Sequence, residues 1–259
     1  MADEVLIEVD GPVLTIVLNR PHVRNAVDLA VCRGVSAALR QLERDPKLRA
    51  GVITGTGTTF CSGADLKAAE AGDSMAIGAF DPGAFAGFVR FPRTKPVICA
   101  AQGHALAGGL EILMACELAV GAVDALFGLP EVRIGIMAAA GGTIGLGRDF
   151  SFPTVMKMLL TGRPIDAAEA YRIGLLTEIA ENEHVRARAE TIGREIAEVA
   201  PQAVAASLQL ARAARAGACS PDGLQDLSAS LIAGLLDTPD AAEGRQAFLE
   251  KRNPNWSTE

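Results

Sequence analysis

Short apolar runs rich in β-branched residues recur through the first half of this chain, interleaved with helix-spaced segments, and after Pro201 only helix-spaced segments remain. Val5–Val9 and Val13–Leu18 flank Asp10-Gly11-Pro12, which predicts a β-hairpin about an Asp-Gly turn. Val31, Val35, Ala38, Leu39 and Leu42 share one face of a helix predicted over 28–44. Ala50–Thr54, Pro96–Ala100, Leu118–Val120 and Ala125–Gly128 read as short strands. The run GGLEILMACE lacks proline and is long enough for a buried helix. This alternation is that of an α/β fold.

The remainder reads as helices. Asp166-Ala-Ala-Glu169 has capping-box spacing with aspartate as the cap, and Gly174 is placed to stop that helix. Val185, Ala189, Ile192, Ile196 and Val199 make one apolar stripe, and Leu224, Leu227, Leu231 and Leu235 make another. Pro201, Pro221 and Pro239 each suit a first helical position, and Ser220 and Thr238 precede two of them as caps. The change near Pro201 divides the chain into expected units of residues 1–200 and 201–259.

Composition narrows the function classes. At 259 residues and 49% hydrophobic, the chain has material for a sizeable core. Lys and Arg number 24 against 31 Asp and Glu, a net charge of -7, so a nucleic-acid binder is not expected. A phosphorylated ligand would need a local basic patch. The five cysteines are widely spaced without a CxxC pair, which argues against a disulfide framework and a structural zinc site. MADEVLIEVD has neither the basic nor the apolar region of a signal peptide. The longest uncharged stretch, Pro96–Leu110, is 15 residues broken by glycines and is too short to span a bilayer. The expectation is a soluble protein of the reducing cytoplasm.

Four motifs bear on chemistry. Gly55-Thr56-Gly57-Thr58-Thr59-Phe60 is half of a dinucleotide fingerprint, but Phe60 takes the third glycine's place and no helix opens there. In FCSGADLK, Asp65 suits a helix cap, and a turn at Gly63 would present the N–H of Ala64. In ALAGGLE, Gly108 and Gly109 at a helix start allow close backbone approach and an anion site. Glu111 comes next among Leu110, Ile112, Leu113 and Met114, where a carboxylate needs an arginine partner or a function. Glu131, after Pro130, suits the first turn of a helix and, with Glu111, would make an acid/base couple. His22, His104 and His184 have no nucleophile at a motif spacing, there is no GxSxG, and no metal cluster is visible.

LNRPHVRNA from Leu18, together with FCSGADLK, GHALAGGLEILMACELAV, FGLPEVRIGI and AFLEKRNPNW, resembles the enoyl-CoA hydratase/isomerase (crotonase) superfamily. The five motifs stand in order across nearly the whole chain. The resemblance implies an α/β spiral of ββα units, with residues 201–259 as a C-terminal helical trimerisation region. It implies a homotrimer or dimer of trimers that binds acyl-CoA and stabilises a thioester enolate. The coenzyme A thioester is then the substrate, and neither a cofactor nor a metal is called for. Carried over by position, Ala64 and Gly108 would supply the oxyanion-hole N–H groups. Glu111 and Glu131 would hold one water, which favours hydration or its reverse, since isomerases of the family generally keep only the second glutamate. Arg24, Ala26, Ser62, Asp65 and Leu66 match positions lining the CoA channel. Phe248 and Lys251 match C-terminal positions that approach the nucleotide, often from a neighbouring subunit. Arg20, Arg24, Lys67 and Lys251 would form the basic patch. Ala138-Ala139 replaces a Pro-Gly pair that helps seat the water, and Ile144-Gly145 replaces a Gln-Arg pair. This loop resembles a subgroup that includes carnitinyl-CoA dehydratase-like members. Enoyl-CoA isomerisation, carnitinyl-CoA-like dehydration and non-catalytic acyl-CoA binding are the alternatives to hydration. The acyl pocket is expected from the segment 68–90.

Overall fold

The computed structural model describes residues 3–68, 70, 72 and 78–257. β1 (Val5–Asp10) and β2 (Val13–Leu18) form the expected antiparallel hairpin. β2 then pairs in parallel with β3 (Ala50–Gly55), and β5 (Val97–Ala101), β7 (Leu118–Ala122) and β10 (Glu178–Ala180) extend a six-stranded sheet. Every residue of β2 and β5 is buried, the state in which parallel strands read as unbroken apolar runs. α1 (Leu29–Arg44) covers this sheet with Val31, Val35, Leu39 and Leu42. Its first turn is capped by Asp28, whose carboxylate accepts from the N–H of Val31 at 2.9 Å.

A second sheet is only partly legible in the sequence. β4 (Thr59–Cys61), β6 (His104–Leu106) and β8 (Leu126–Gly128) run parallel, and β9 (Ile165–Asp166) closes antiparallel on β8. At two or three residues each, these strands are too short for a period-two pattern to declare itself. β3, β5 and β7 each lead into a strand of the second sheet and then into helix. The helical pieces are a turn at Leu66–Ala68, α2 (Gly108–Ala115) and a 3₁₀ helix at Pro130–Ile134. Three ββα turns therefore stack into a spiral.

α3 (Gly142–Asp149) and α4 (Phe152–Thr161) are helices that the sequence pattern does not announce. α5 (Ala167–Arg172) begins at Asp166, which accepts from the Glu169 N–H at 2.8 Å, and Gly174 lies just past its end at φ +81°. Only half of the capping box forms, because Glu169 turns to Arg172 at 2.6 Å instead of returning to the cap. α6 (Val185–Ala197) lays Val185, Ala189 and Ile192 on the main sheet. Val199, expected on that stripe, lies past the helix end and is exposed.

From Pro201 the described elements are helices alone: α7 (Pro201–Ala216), α8 (Pro221–Leu236) and α9 (Pro239–Glu250). Ser220 and Thr238 cap α8 and α9 as expected. α7 is tied to the spiral by Arg212–Glu117 at 2.6 Å and Arg215–Asp149 at 2.7 Å. After α9 the chain folds back as a strap. Trp256 donates to the Glu198 carbonyl at 2.7 Å, and the Ser257 N–H donates to Asp240 at 2.8 Å. Among the described residues no helix is long and apolar enough to cross a membrane.

Candidate active site

The register of the second sheet gathers the site. Cys61 lies beside Ala105, Ala105 beside Phe127, and Leu106 beside Gly128. Parallel strands leave their sheet on one edge, so the segments after β4, β6 and β8 arrive together. Those segments carry Ala64, then Gly108 to Glu111, then Glu131.

Ala64 is paired with Val27 in a parallel bridge. The Val27 N–H donates to Gly63 O at 2.8 Å, and the Asp65 N–H donates to Val27 O at 2.8 Å. Alternation along an extended chain therefore turns the Ala64 N–H to the opposite side, where it has no acceptor among the described residues. Gly63 has φ +97°, and a Cβ there would stand 2.7 Å from the Ala107 Cβ and 3.0 Å from the Gly108 nitrogen. Only glycine permits this approach, which sets the Ala64 turn against the start of α2. Gly108 opens α2, so its N–H has no partner within the helix. The two N–H groups expected of an oxyanion hole are thus neighbours, both unspent.

Glu111 sits in the first turn of α2, 5% exposed. No arginine partners it among the described residues. Its Oε1 accepts instead from the Gly142 N–H at 2.8 Å. Burial pushes its carboxyl up, and the backbone N–H groups of Gly142 and Ala140 work against that. Glu131, 8% exposed, is raised further, to about 7, chiefly by burial and in part by the charge on Glu111. Its Oε2 is buried without a hydrogen-bond partner among the described residues. The loop from Glu131 to Gly142 carries Ala138, buried, and Ala139, exposed. The Thr143 hydroxyl donates to the Ala138 carbonyl at 2.9 Å and closes the loop that delivers Gly142.

The other expected residues fall into two groups. Arg24 is exposed at φ +55°, Ala26 is buried two residues on, and the half-buried Ser62 donates its N–H to the Arg24 carbonyl at 3.1 Å, which sets Arg24 beside the segment that carries Ala64. Leu66 is exposed on the next turn. Asp65 is engaged within the fold: it caps the turn through the Lys67 N–H at 3.1 Å and pairs with Arg20 at 3.1 Å. Burial opposes its charge, but those N–H groups and Arg20 outweigh it and hold the carboxyl below its usual range. Arg20 also meets Asp28 at 3.1 Å and Glu4 at 3.7 Å, so it is committed to the fold and drops out of the basic patch, leaving the exposed Arg24, Lys67 and Lys251. Phe248 and Lys251 stand exposed at the end of α9, and none of the described hydrogen bonds or ion pairs joins them to Ala64 or Gly108.

Of the segment expected to shape the acyl pocket, residues 69, 71 and 73–77 lie outside the described residues. Within the rest, Phe85 rests its ring on Gly108, where any Cβ would collide with it. Phe85 and the Gly142 N–H are the site features that sequence reading missed. The glycine pair at 141–142 was the available signal for the second. Among the described residues no group of three His, Cys, Asp or Glu side chains is placed to hold a metal ion.

The family profile described as Enoyl-CoA hydratase/isomerase matches residues 8–259. The chain belongs to the enoyl-CoA hydratase/isomerase family. A carnitinyl-CoA dehydratase of Salmonella arizonae is 36% identical over 260 residues, covering 99% of each chain. The crystal structure of an enoyl-CoA hydratase from Mycobacterium tuberculosis H37Rv is 36% identical, covers 99% of this chain and 100% of its own, and has a TM-score of 0.93. A carnitinyl-CoA dehydratase structure from Mycobacterium avium 104 is 40% identical, covers both chains fully (100%), and has a TM-score of 0.76. The spiral of ββα units is the crotonase fold, and the protein is an enzyme of this family.

Proposed function

We propose that the protein is a hydro-lyase that adds water across the 2,3 double bond of an enoyl-CoA thioester, or removes it in reverse. The observation that carries this reading is Glu131: a buried carboxyl raised to about 7, with a free Oε2, beside a second buried carboxyl. Such a pair holds one proton between its members near neutrality. Glu111, steadied as a carboxylate by the Gly142 N–H, takes a proton from the water as its oxygen bonds to Cβ. Negative charge moves to the thioester oxygen, where the N–H groups of Ala64 and Gly108 receive it. Glu131, still protonated, delivers its proton to Cα. One water has then been added, and a proton passing from Glu111 to Glu131 restores the start.

Arg24, Ala26, Ser62 and Leu66 hold the coenzyme A portion in this reading, with Asp65 fixing the turn between them. Phe248 and Lys251 serve the nucleotide of a neighbouring subunit in a trimer or dimer of trimers, with residues 201–259 as the assembling unit. The coenzyme A thioester enters as substrate, no cofactor is called for, and the reaction runs in the cytoplasm. Dehydration of a carnitinyl-CoA-like substrate is the second reading, favoured by the similarity to carnitinyl-CoA dehydratases.

Loss of enoyl-thioester absorbance with crotonyl-CoA and a longer enoyl-CoA tests the proposal. Turnover is expected. Tight acyl-CoA binding without any turnover would replace the enzyme with a carrier.

A further inference from the structure

A cavity of about 670 Å³ opens beside residues that touch the reacting groups. Its wall runs along residues 78–84 and returns through Arg90, Pro92, Ala139 and Ala140. Ala140 lies against Glu111, and Phe85, one residue beyond the first stretch, lies against Gly108. A second cavity of about 600 Å³ shares Arg90 and Pro92 and is lined also by Arg93, Arg212, Arg215 and Glu117. Arg90 therefore stands in the partition between the two.

The other three guanidiniums are occupied. Arg93 and Arg212 meet Glu117 at 3.3 and 2.6 Å, and Arg215 meets Asp149 at 2.7 Å. Arg90 has no carboxylate within ion-pair distance among the described residues, although Asp81 lines the same cavity. The rest of the wall is small and mostly apolar. A quaternary ammonium group is ordinarily held by a cage of aromatic faces, Trp above all. The chain has one Trp and one Tyr, and neither is on this wall. Trp256 is bound to Glu198 in the strap, and Tyr171 is exposed on α5. Phe80 is the wall's single aromatic side chain among the described residues.

We propose that the acyl group this enzyme acts on carries a carboxylate beyond Cβ, taken by Arg90, and that the cavity disfavours a trimethylammonium chain. The inference rests on the hydro-lyase reading and adds the charge class of its substrate. A guanidinium presents two parallel N–H donors to a carboxylate, and those of the exposed Arg90 are open to one entering from the cavity. Asp81 repels an anion from its own side of the cavity and directs it toward Arg90. Both residues oppose each other on any charged chain, so their substitutions have opposite signs.

Three enoyl-CoA substrates of equal length, ending in carboxylate, methyl or trimethylammonium, test this by their kcat/KM. Wild type is expected to prefer the carboxylate over the methyl chain by roughly twofold to fivefold, the usual effect of an exposed ion pair, with the trimethylammonium chain last. Arg90→Gln should bring the carboxylate-to-methyl ratio near one, and Asp81→Asn should raise it. A ratio of one or less in wild type, or a ratio unmoved by Arg90→Gln in a folded variant, overturns the inference while methyl-chain turnover leaves the hydro-lyase reading intact. If none of the three is turned over, that reading fails, and calorimetric affinities for the saturated analogues decide the charge class: tightest binding of the carboxylate supports it, and equal binding overturns it.

Discussion

Before Pro201 the chain builds a buried apolar core, and after Pro201 its helices bury almost nothing fully. β2 and β5 bury every residue, whereas α7 and α8 bury none fully. α9 buries Asp240 and Ala247 yet leaves Phe248 83% and Leu249 79% exposed. The two regions are similarly rich in apolar residues, so the difference is one of destination. The spiral is specified by contacts within the chain. The C-terminal helices are tied to it by ion pairs, and α8 and α9 leave apolar side chains half-buried or exposed. We propose that a second copy covers them, since permanent assemblies bury apolar patches of this kind.

The largest expected effect lies inside the spiral. Glu111→Gln and Glu131→Gln keep shape but lose proton transfer, and each should lower hydration by roughly 10²–10⁴. The double variant should fall little further, because groups that act as one unit are not additive. Steady-state kinetics checks both statements. Intact activity in Glu111→Gln would turn the reading toward isomerisation.

Next comes the contrast itself. Leu39→Ala in α1 should cost about 2–5 kcal/mol in denaturant unfolding, as a buried leucine does. Phe248→Ala should stay within about 0.5 kcal/mol if nothing covers α9. In the assembled protein a larger cost is expected, together with a smaller mass by light scattering. A stable monomer with an unaffected Phe248→Ala would remove the assembly proposal.

The pH dependence separates the regions a third way. Glu131 is raised from 4.5 to about 7, so between those values the folded chain keeps a proton that the unfolded chain has lost. Stability contributed by this group therefore falls as pH rises through that window. Glu131→Gln should stabilise the protein at pH 8 by about 1–2 kcal/mol, discounted for the water that reaches the carboxyl, and by nothing at pH 4. Hydration by wild type should decline on the alkaline side of about 7, as Glu131 loses the proton destined for Cα. The smallest effect is expected where α7 meets the spiral. Arg215→Ala breaks a half-exposed pair with Asp149 and should cost about 0.2–1 kcal/mol, less in high salt.

The sequence disclosed α1 because one apolar face persists along its 16 residues. It disclosed α8 and α9 because proline at the first position and a hydroxyl cap are local signals. β4, β6 and β9 stayed hidden, since two or three residues carry no period. α3 stayed hidden behind Gly142, Gly145 and Gly147, which are poor helix formers. The four site residues were legible as types in motifs. Their meeting was not, because it depends on pairings such as Cys61 with Ala105, made between distant parts of the chain. Asp65 was legible as a cap from its local sequence, and its carboxylate does accept from the Lys67 N–H.

The strap has a spectroscopic consequence. Trp256 is the chain's sole tryptophan, and its ring packs on Gly244 while its N–H is held by Glu198. Intrinsic fluorescence excited at the indole band therefore reports on one place, the junction between α9 and the end of α6. Circular dichroism, by contrast, averages over the whole chain. If emission changes at lower denaturant than ellipticity, the clasp opens first and the C-terminal helices come away as a unit. If the two curves coincide, the spiral and its appended helices melt as one body.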